Sequence, residues 1–435
     1  MSDLLQTLRE RGFLHQTTDD EAEDKPLEKL LASKCVTGYA GFDPTAASFH
    51  VGNLVSIMTL LHLQRSGHRP IVILGGGTGK VGDPSGKSEL RKVLTRDVIE
   101  ANLEAQRRQL SRYLELGPAP SLGAHLSNAV PSSAEARRGF LLNNADWLDP
   151  LNYIEFLRDV GRHFSVNRML AAESVKLRLE SEAGLSFLEF NYSILQAYDF
   201  LVLFERYGCE LQLGGSDQWG NIVAGTDLIR RRTGNRAHGI TTPLVTTSDG
   251  KKMGKTEKGA VWLDQSLTSP YAYYQYWVNV DDRDVGRFLR MFTVLPIDEI
   301  RELEAFRGAE IRRAKSRLAF EATALTHGKE AAVGAEEAAK ALFGAGGGVG
   351  GDDASMPRFS IGPTELAGGL VAVQLFASCG LCESKSAAKR MARGGGLYVN
   401  SEKISEDRVL TPDDLRDGAI LLSAGKKQHI KVTVG

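Results

Sequence analysis

Apolar positions along the chain fall into two rhythms. A short extended run in VTGYAGFDP (36–44) ends in turn residues, and Leu54, Ile57, Met58 and Leu61 then recur at helical spacing until Gly67. The continuous apolar run PIVIL (70–74) predicts a buried strand. Strand, helix, strand in that order is a crossover unit and predicts a parallel sheet. A helical stretch over 97–116, a looser Pro-, Ser- and Ala-containing segment, and helices near 151–180 and 187–207 read as an insertion within the sheet domain. CELQLGG (209–215) returns to strand character, DQWGNIVAGTDLIRRR to helical spacing, and TPLVTT (242–247) reads as the last strand.

Beyond SDGKKMGKTEKGAVW the pattern is helical and charged to about 342. The glycine-rich string GAGGGVGGDDASMP, whose first eight residues are Gly, Ala and Val alone, predicts a flexible linker over about 343–358. The expected division is 1–261 for the sheet domain, with its insertion at about 117–180, then 262–342 helical, and 359–435 a separate small domain.

Composition narrows the function only a little. With 53 Lys plus Arg against 54 Asp plus Glu, any nucleic acid must be met by a local basic patch and not by overall charge. Acids at Asp19, Asp20, Glu21, Glu23 and Asp24 are unlike a transit peptide, and no run approaches 18 apolar residues, so no membrane and a cytoplasmic site, or an organelle matrix after loss of a leader, are expected. Cys35, Cys209, Cys379 and Cys382 are too few for a disulfide scaffold. The CGLC pair lacks a second pair nearby, so it reads as two small residues in a helix, and no structural metal is expected.

The stretch GGGTGKVGDPSGKS (75–88) invites a phosphate-loop reading, because it is glycine-rich and follows a strand. The Walker spacing fails: a glycine is needed at Val81 for Gly86-Lys87-Ser88, and at Leu74 for Gly79-Lys80. Gly77, Gly79 and Gly82 meet the dinucleotide spacing, yet Asp83-Pro84-Ser85-Gly86 is a turn where that motif must open a helix. The loop lies at the correct strand end to line a ligand crevice, with phosphates held elsewhere.

Chemistry gathers at four other places. DPTAASFHVGN (43–53) puts His50 and small residues at a helix start, where backbone N–H groups and dipole favour an anion; a capped helix with a half-buried His is the alternative. KKMGKT (251–256) sets three lysines and a hydroxyl in a glycine-containing loop, or a solvated surface loop. Tyr192, Gln196 and Asp199, spaced i, i+4, i+7, share one face of an otherwise apolar helix and must find internal or ligand partners. LGGSDQWGN (213–221) sets Gly215, Asp217 and Gln218 just past a strand's C-terminal end, where open parallel sheets bind ligands.

Together these residues resemble a class I aminoacyl-tRNA synthetase of the bacterial or organellar tyrosyl branch. HVGN (50–53) resembles that family's HIGH signature and KMGKT (252–256) its KMSKS loop, while YAGFDPTA, GDPSGK, LQAYDF and GGSDQWGN are similar to stretches of the tyrosine branch. The likeness runs the length of the chain in the expected order. It implies a Rossmann-like catalytic α/β domain with a helical dimerisation insertion, an all-α anticodon-side domain and a small α+β S4-like RNA-binding tail. By position, Tyr39 and Asp199 match the pair on the phenolic hydroxyl of L-tyrosine. Tyr192, Gln196 and Asp83 match residues around its ammonium, with Gln218 in the same pocket. Asp43, Gly52, Gly215 and Asp217 match positions near the ammonium, adenine and ribose of the adenylate. Thr45, His50, Lys87, Lys252, Lys255 and Thr256 match those around the ATP phosphates.

The implied reaction is attack of the tyrosine carboxylate on the α-phosphate of Mg-ATP, then transfer to the terminal adenosine of tRNA(Tyr). Three departures stand out. Asn53 replaces a second His but keeps an amide donor, Ala40 replaces a common Cys with loss of a weak ribose contact, and Gly254 and Thr256 differ from the generic loop while suiting the tyrosine branch. In SKSAAKRMARGGGLYVNSEKI, Lys385, Lys389, Arg390 and Arg393 form a basic helical face for RNA phosphates. FLRDVGRHFSVNRML (156–170) matches the family's dimer region and implies a homodimer. Two rivals remain at this stage, a tryptophanyl enzyme sharing both signatures and an RNA-binding relative without ligase activity.

Overall fold

The computed structural model describes residues 3–20, 24–84, 95–120, 137–181, 184–250, 253–256, 259–343, 358–416, 418–425 and 428–434. Lys87, Lys252 and residues 344–357 of the expected linker lie outside the described residues, as do the side chains of Lys255 and Thr256. Two compact units divide the chain: residues 1–263 with 286–301, and residues 264–285 with 302–435.

The first unit is built on a six-stranded sheet of β1 (Gln16–Thr17), β2 (Thr37–Phe42), β3 (Arg69–Leu74), β4 (Phe140–Asn143), β5 (Cys209–Gly215) and β6 (His238–Thr242). Their order is β1-β6-β5-β2-β3-β4. Every neighbouring pair from β6 to β4 is parallel, and β1 closes the edge antiparallel to β6. From β2 the sheet grows to β3 on one side and to β5 on the other, so a crevice opens beyond the C-terminal ends of β2 and β5. The helix Leu54–Arg65 makes the crossover from β2 to β3 and buries Leu54, Ile57, Met58 and Leu61 as the spacing predicts.

The helix Tyr192–Tyr207 ends at Gly208 and buries Ile194, Ala197, Phe200, Leu201 and Leu203 in a core shared with Ile71, Ile73, Phe140 and Leu142. Full burial of side chains such as Phe200 and Leu203 contributes about 2 kcal/mol each. That core fixes the rotation of the helix, and therefore where its polar stripe points.

Three sequence expectations are corrected. The last parallel strand is His238–Thr242, ahead of the expected TPLVTT, because Pro243 has no N–H to continue the ladder; the buried run HGITT is too poor in large apolar residues to announce itself. β4 falls inside the segment taken as insertion: FLLN is only four residues long, yet it pairs with β3 over its whole length. The stretch Gly286–Arg301, expected with the helical part, packs in the first unit. The Arg11 guanidinium explains this, donating to the carbonyls of Arg290 (3.1 Å), Thr293 (3.0 Å) and Leu295 (2.5 Å).

The second unit contains the helices Pro270–Val278, Ile311–His327 and Lys329–Phe343, and a five-stranded α+β module. In that module Gln428–Val434 runs antiparallel to Ala419–Ala424 and parallel to Arg358–Ile361, over a core with Phe376, Leu397, Leu422 and Val432. The CGLC pair departs slightly from its expected place. Its helix stops at Ser378, Cys379 caps it, and Cys382 is buried in the following turn; all four cysteines are free thiols. Among the described residues no helix is long and apolar enough to cross a membrane, and no group of three His, Cys, Asp or Glu is arranged to hold a metal.

Candidate active site

Asp43 closes β2 at the crevice, and its carboxylate is gripped from two sides. The Thr78 hydroxyl donates to one oxygen at 2.9 Å and the Tyr192 hydroxyl to the other at 3.1 Å. Thr78 belongs to the glycine-rich loop, and the glycines there make room for side chains and not for a phosphate: a Cβ on Gly75 would lie 2.3 Å from Asp43 Oδ1. Lys80 of the same loop is turned to Asp149 at 2.6 Å.

From Thr78 the network runs deeper. Asn144 Nδ2 lies 2.9 Å from the Thr78 hydroxyl and donates to Asp199 Oδ2 at 2.9 Å, while Trp147 Nε1 donates to Asp199 Oδ1 at 2.7 Å. Asp199 is 4 % exposed, and burial pushes its carboxyl up to about 7 against the pull of those two donors. Beside it, burial and then the Asp199 charge push the Tyr39 phenol well above its ordinary range, so Tyr39 stays a hydroxyl. Its oxygen is buried without a hydrogen-bond partner among the described residues. Tyr192 is likewise held neutral, by burial and then by the charges of Asp43, Asp83 and Asp199.

The other side of the crevice is made after β5. Gln218 donates to Asp83 at 2.8 Å, and Asn221 donates to Gln218 at 3.1 Å and to Gln196 at 3.2 Å. Asp217 folds back over Gly215, where a Cβ would lie 2.4 Å from its Oδ1. Every member of the Tyr192, Gln196 and Asp199 stripe has therefore found a protein partner.

At the other signature, His50 starts a short 3-10 turn, Val51–Asn53, that runs into the helix Leu54–Arg65. Its Nδ1 accepts from Gly52 N at 3.0 Å and its backbone N–H donates to Asn53 Oδ1 at 3.0 Å. An imidazole that accepts at Nδ1 carries its proton at Nε2 when neutral, so His50 is a donor. Asn53 spends its oxygen on this cap, which leaves only its NH₂ to offer a ligand.

The KMGKT loop is brought onto this turn: Val51 N donates to Val261 O at 2.9 Å, Val261 N donates to Gly254 O at 3.0 Å, and Met253 is buried. A Cβ on Gly52 would meet His50 Cε1 at 2.7 Å and Met253 O at 3.2 Å, and Gly254, at φ +80°, would press a Cβ to 2.8 Å from Gly52 N. The two glycines are what let the loops touch. Thr45 is exposed on the 43–50 loop, and Lys255–Thr256 form a two-residue strand against Gly259–Ala260.

Sequence reasoning missed Thr78, Asn144, Trp147 and Asn221. Thr78 and Asn221 lay inside stretches already singled out, while Asn144 and Trp147 had no signal beyond following a strand too short to notice.

The family model for class I tRNA synthetases of the tryptophan and tyrosine type matches residues 32–344. The chain belongs to that family. It is 53 % identical to a tyrosine–tRNA ligase of Desulfatibacillum aliphaticivorans, over 99 % of this chain and 98 % of the relative. It is 50 % identical to one of Syntrophus aciditrophicus, over 98 % and 97 %. A crystal structure of a C-terminally truncated mitochondrial tyrosyl-tRNA synthetase of Aspergillus nidulans superimposes with a TM-score of 0.67 at 32 % identity, covering 79 % of this chain and 95 % of that one.

Proposed function

We infer that the protein is a tyrosine–tRNA ligase. The observation that carries this reading is the pairing of the buried Asp199 carboxylate with the partnerless Tyr39 hydroxyl. A phenol satisfies both, because its O–H donates to Asp199 and its oxygen accepts from Tyr39. An indole N–H would serve Asp199 but leave Tyr39 orphaned, which speaks against tryptophan.

With the phenol anchored, the ammonium of the substrate falls toward Asp43, Asp83, Tyr192, Gln196 and Gln218, and its carboxylate toward His50. One carboxylate oxygen attacks the α-phosphorus of Mg-ATP, the bond to the bridging oxygen breaks, and pyrophosphate leaves; Mg²⁺ enters with ATP as part of the substrate. The terminal adenosine hydroxyl of the tRNA then attacks the acyl carbon and expels AMP. The substrate supplies its own nucleophile, so the protein's task is placement and donation to developing charge by Thr45, His50, Lys87, Lys252, Lys255 and Thr256, with Asn53 supporting. Gly52, Gly215 and Asp217 face the adenosine. Tyrosine-dependent exchange of pyrophosphate into ATP tests the reading. Exchange is expected with tyrosine and not with tryptophan, and the reverse would overturn it.

The tail is the RNA-binding module of this reading. Lys385, Lys389, Arg390 and Arg393 are exposed along the helix Lys385–Arg393, whose other face buries Ala388 and Ala392. Arg393 is not equal to the others, since Glu406 accepts from it at 2.9 Å. Lys389→Ala is therefore expected to weaken tRNA binding and lower its salt slope by about one, and Arg393→Ala to do less. Filter binding across salt concentrations would show the order, and equal effects would remove the distinction.

The homodimer is supported by exposed Tyr153, Ile154, Val166, Leu177, Leu179 and Phe187, a concentration of large apolar side chains in and just after the insertion that a second copy would cover. The cytosol, where ATP and tRNA are found, is the proposed site of action.

A further inference from the structure

The loop from Pro44 to Phe49 is anchored at its ends by the buried Pro44 and Phe49, but Ala46 and Ala47 between them have nothing beyond a methyl group to pack. Its backbone polar groups must still find partners. Thr45 N donates to Asp43 O and Phe49 O accepts from Leu263 N, and four of the others are met by one helix, Arg96–Leu110, where three amides at i, i+4 and i+7 share a face: Asn102, Gln106 and Gln109, all buried at 7 % exposure or less. Asn102 Nδ2 donates to Pro44 O at 2.8 Å, Gln106 Nε2 to Ala46 O at 3.1 Å, and Gln109 Nε2 to Ala47 O at 3.4 Å. Gln109 also works in the other direction, its Oε1 accepting from Phe49 N at 3.0 Å with the Ser48 hydroxyl 3.2 Å away. Donor by donor, the helix holds the loop from the residue after Asp43 to the residue before His50.

We propose that Asn102, Gln106 and Gln109 are positioning residues for adenylate formation, setting the backbone that carries Thr45 and His50. This rests on the reading that those two residues face the ATP phosphates. Gln106 shows that the ladder is not there for stability alone. Among the described residues its Oε1 is buried with no partner, a cost that an apolar side chain of the same length would avoid. The one bond its side chain makes among the described residues is to the loop.

The experiment uses the full-length protein carrying Gln106→Met, Gln109→Met or Gln109→Glu, with His50→Ala alongside. Tyrosine-dependent pyrophosphate exchange is measured together with thermal melting. Gln109→Met is expected to lower kcat by about tenfold and raise KM for ATP, with KM for tyrosine unchanged, because a loop displaced by a fraction of an ångström misplaces the donors and not the phenol. Gln109→Glu keeps the acceptor for Phe49 N and is expected to recover part of the rate. Gln106→Met is expected to lower kcat severalfold while Tm holds or rises, since the orphaned oxygen is gone and Ala46 O, only half-buried, can take a water. A purely structural role predicts the reverse for Gln106→Met, a lower Tm with kcat intact, and that result would overturn the proposal. So would unchanged kcat and ATP KM in both Met variants while His50→Ala is slow. If His50→Ala also keeps its rate, the phosphate-side reading of the loop falls with it.

Discussion

Asp199→Asn is expected to cut the preference for tyrosine over phenylalanine by about 10- to 100-fold. In the wild-type pocket phenylalanine would leave both the Asp199 carboxylate and the Tyr39 hydroxyl without their shared partner, and each buried orphan costs about 1–3 kcal/mol, more when charged. Tyrosyl enzymes as a class reject phenylalanine by roughly 10⁵, a magnitude that belongs to the class and is not obtained from this structure. The Asn side chain has the shape of Asp but replaces one accepting oxygen by an N–H₂. That group confronts either Asn144 Nδ2 or Trp147 Nε1, both donors, so the amide is forced into an orientation that serves the phenol poorly. Loss of a hydrogen bond to a charged acceptor corresponds to about 10- to 100-fold in kcat/KM for tyrosine, with phenylalanine little affected.

The same residue sets a pH dependence. Asp199 titrates at about 7, so above that pH it is ionised and accepts the phenol O–H, and below it the carboxyl is protonated and binding weakens. KM for tyrosine is expected to rise as pH falls from about 8 to about 6 in the wild type and to stay flat in the Asn variant. Trp147→Phe removes a donor that favours the charged form, and should move the wild-type profile to higher pH. A selectivity ratio untouched by Asp199→Asn would reject the pocket assignment.

His50→Ala should slow formation of the adenylate by about 10²–10³, the usual cost of removing one preorganised donor from a developing negative charge. The difficulty is that His50 also caps its own turn, so Ala removes a structural bond together with the catalytic one. His50→Asn separates them. Its side-chain oxygen can still accept from Gly52 N, but its short amide cannot reach where imidazole Nε2 reaches. Both variants are expected to be slow in single-turnover adenylate formation, and only the Ala variant to lose stability, by about 1 kcal/mol. Full rate in the Asn variant would mean that the cap was all His50 contributed.

The parts of this site that could be read in the sequence are those whose signal is local. The stripe Tyr192, Gln196, Asp199 follows from helical geometry on an apolar background, and HVGN and KMGKT are short strings with unusual composition. The apolar run of β3 gave away the sheet, and the misses had equally physical causes. FLLN was too short for periodicity to distinguish it from coil, and so the Asn144 and Trp147 that follow it had no strand end to be attached to. HGITT was hidden by its small residues, and the apolar-looking TPLVTT beside it carried a proline that a central strand cannot accept.

The glycine-rich loop shows best what only the folded chain could decide. Its composition fitted a phosphate cradle; its spacing argued otherwise, and the fold filled the room above Gly75 with Asp43 and Thr78. By itself the sequence determined the longer elements, the sheet type and those polar groups near the crevice that sit on them, because these depend on neighbours a few residues away. Tertiary structure decided how those groups are shared. Asp199 became a carboxylate poised near neutral pH only when residues 52 and 55 positions distant donated to it and solvent was excluded. Hydrogen-bond partners separated that far along the chain leave no periodic trace, and the cost of burying a charge exists only once there is an interior to bury it in.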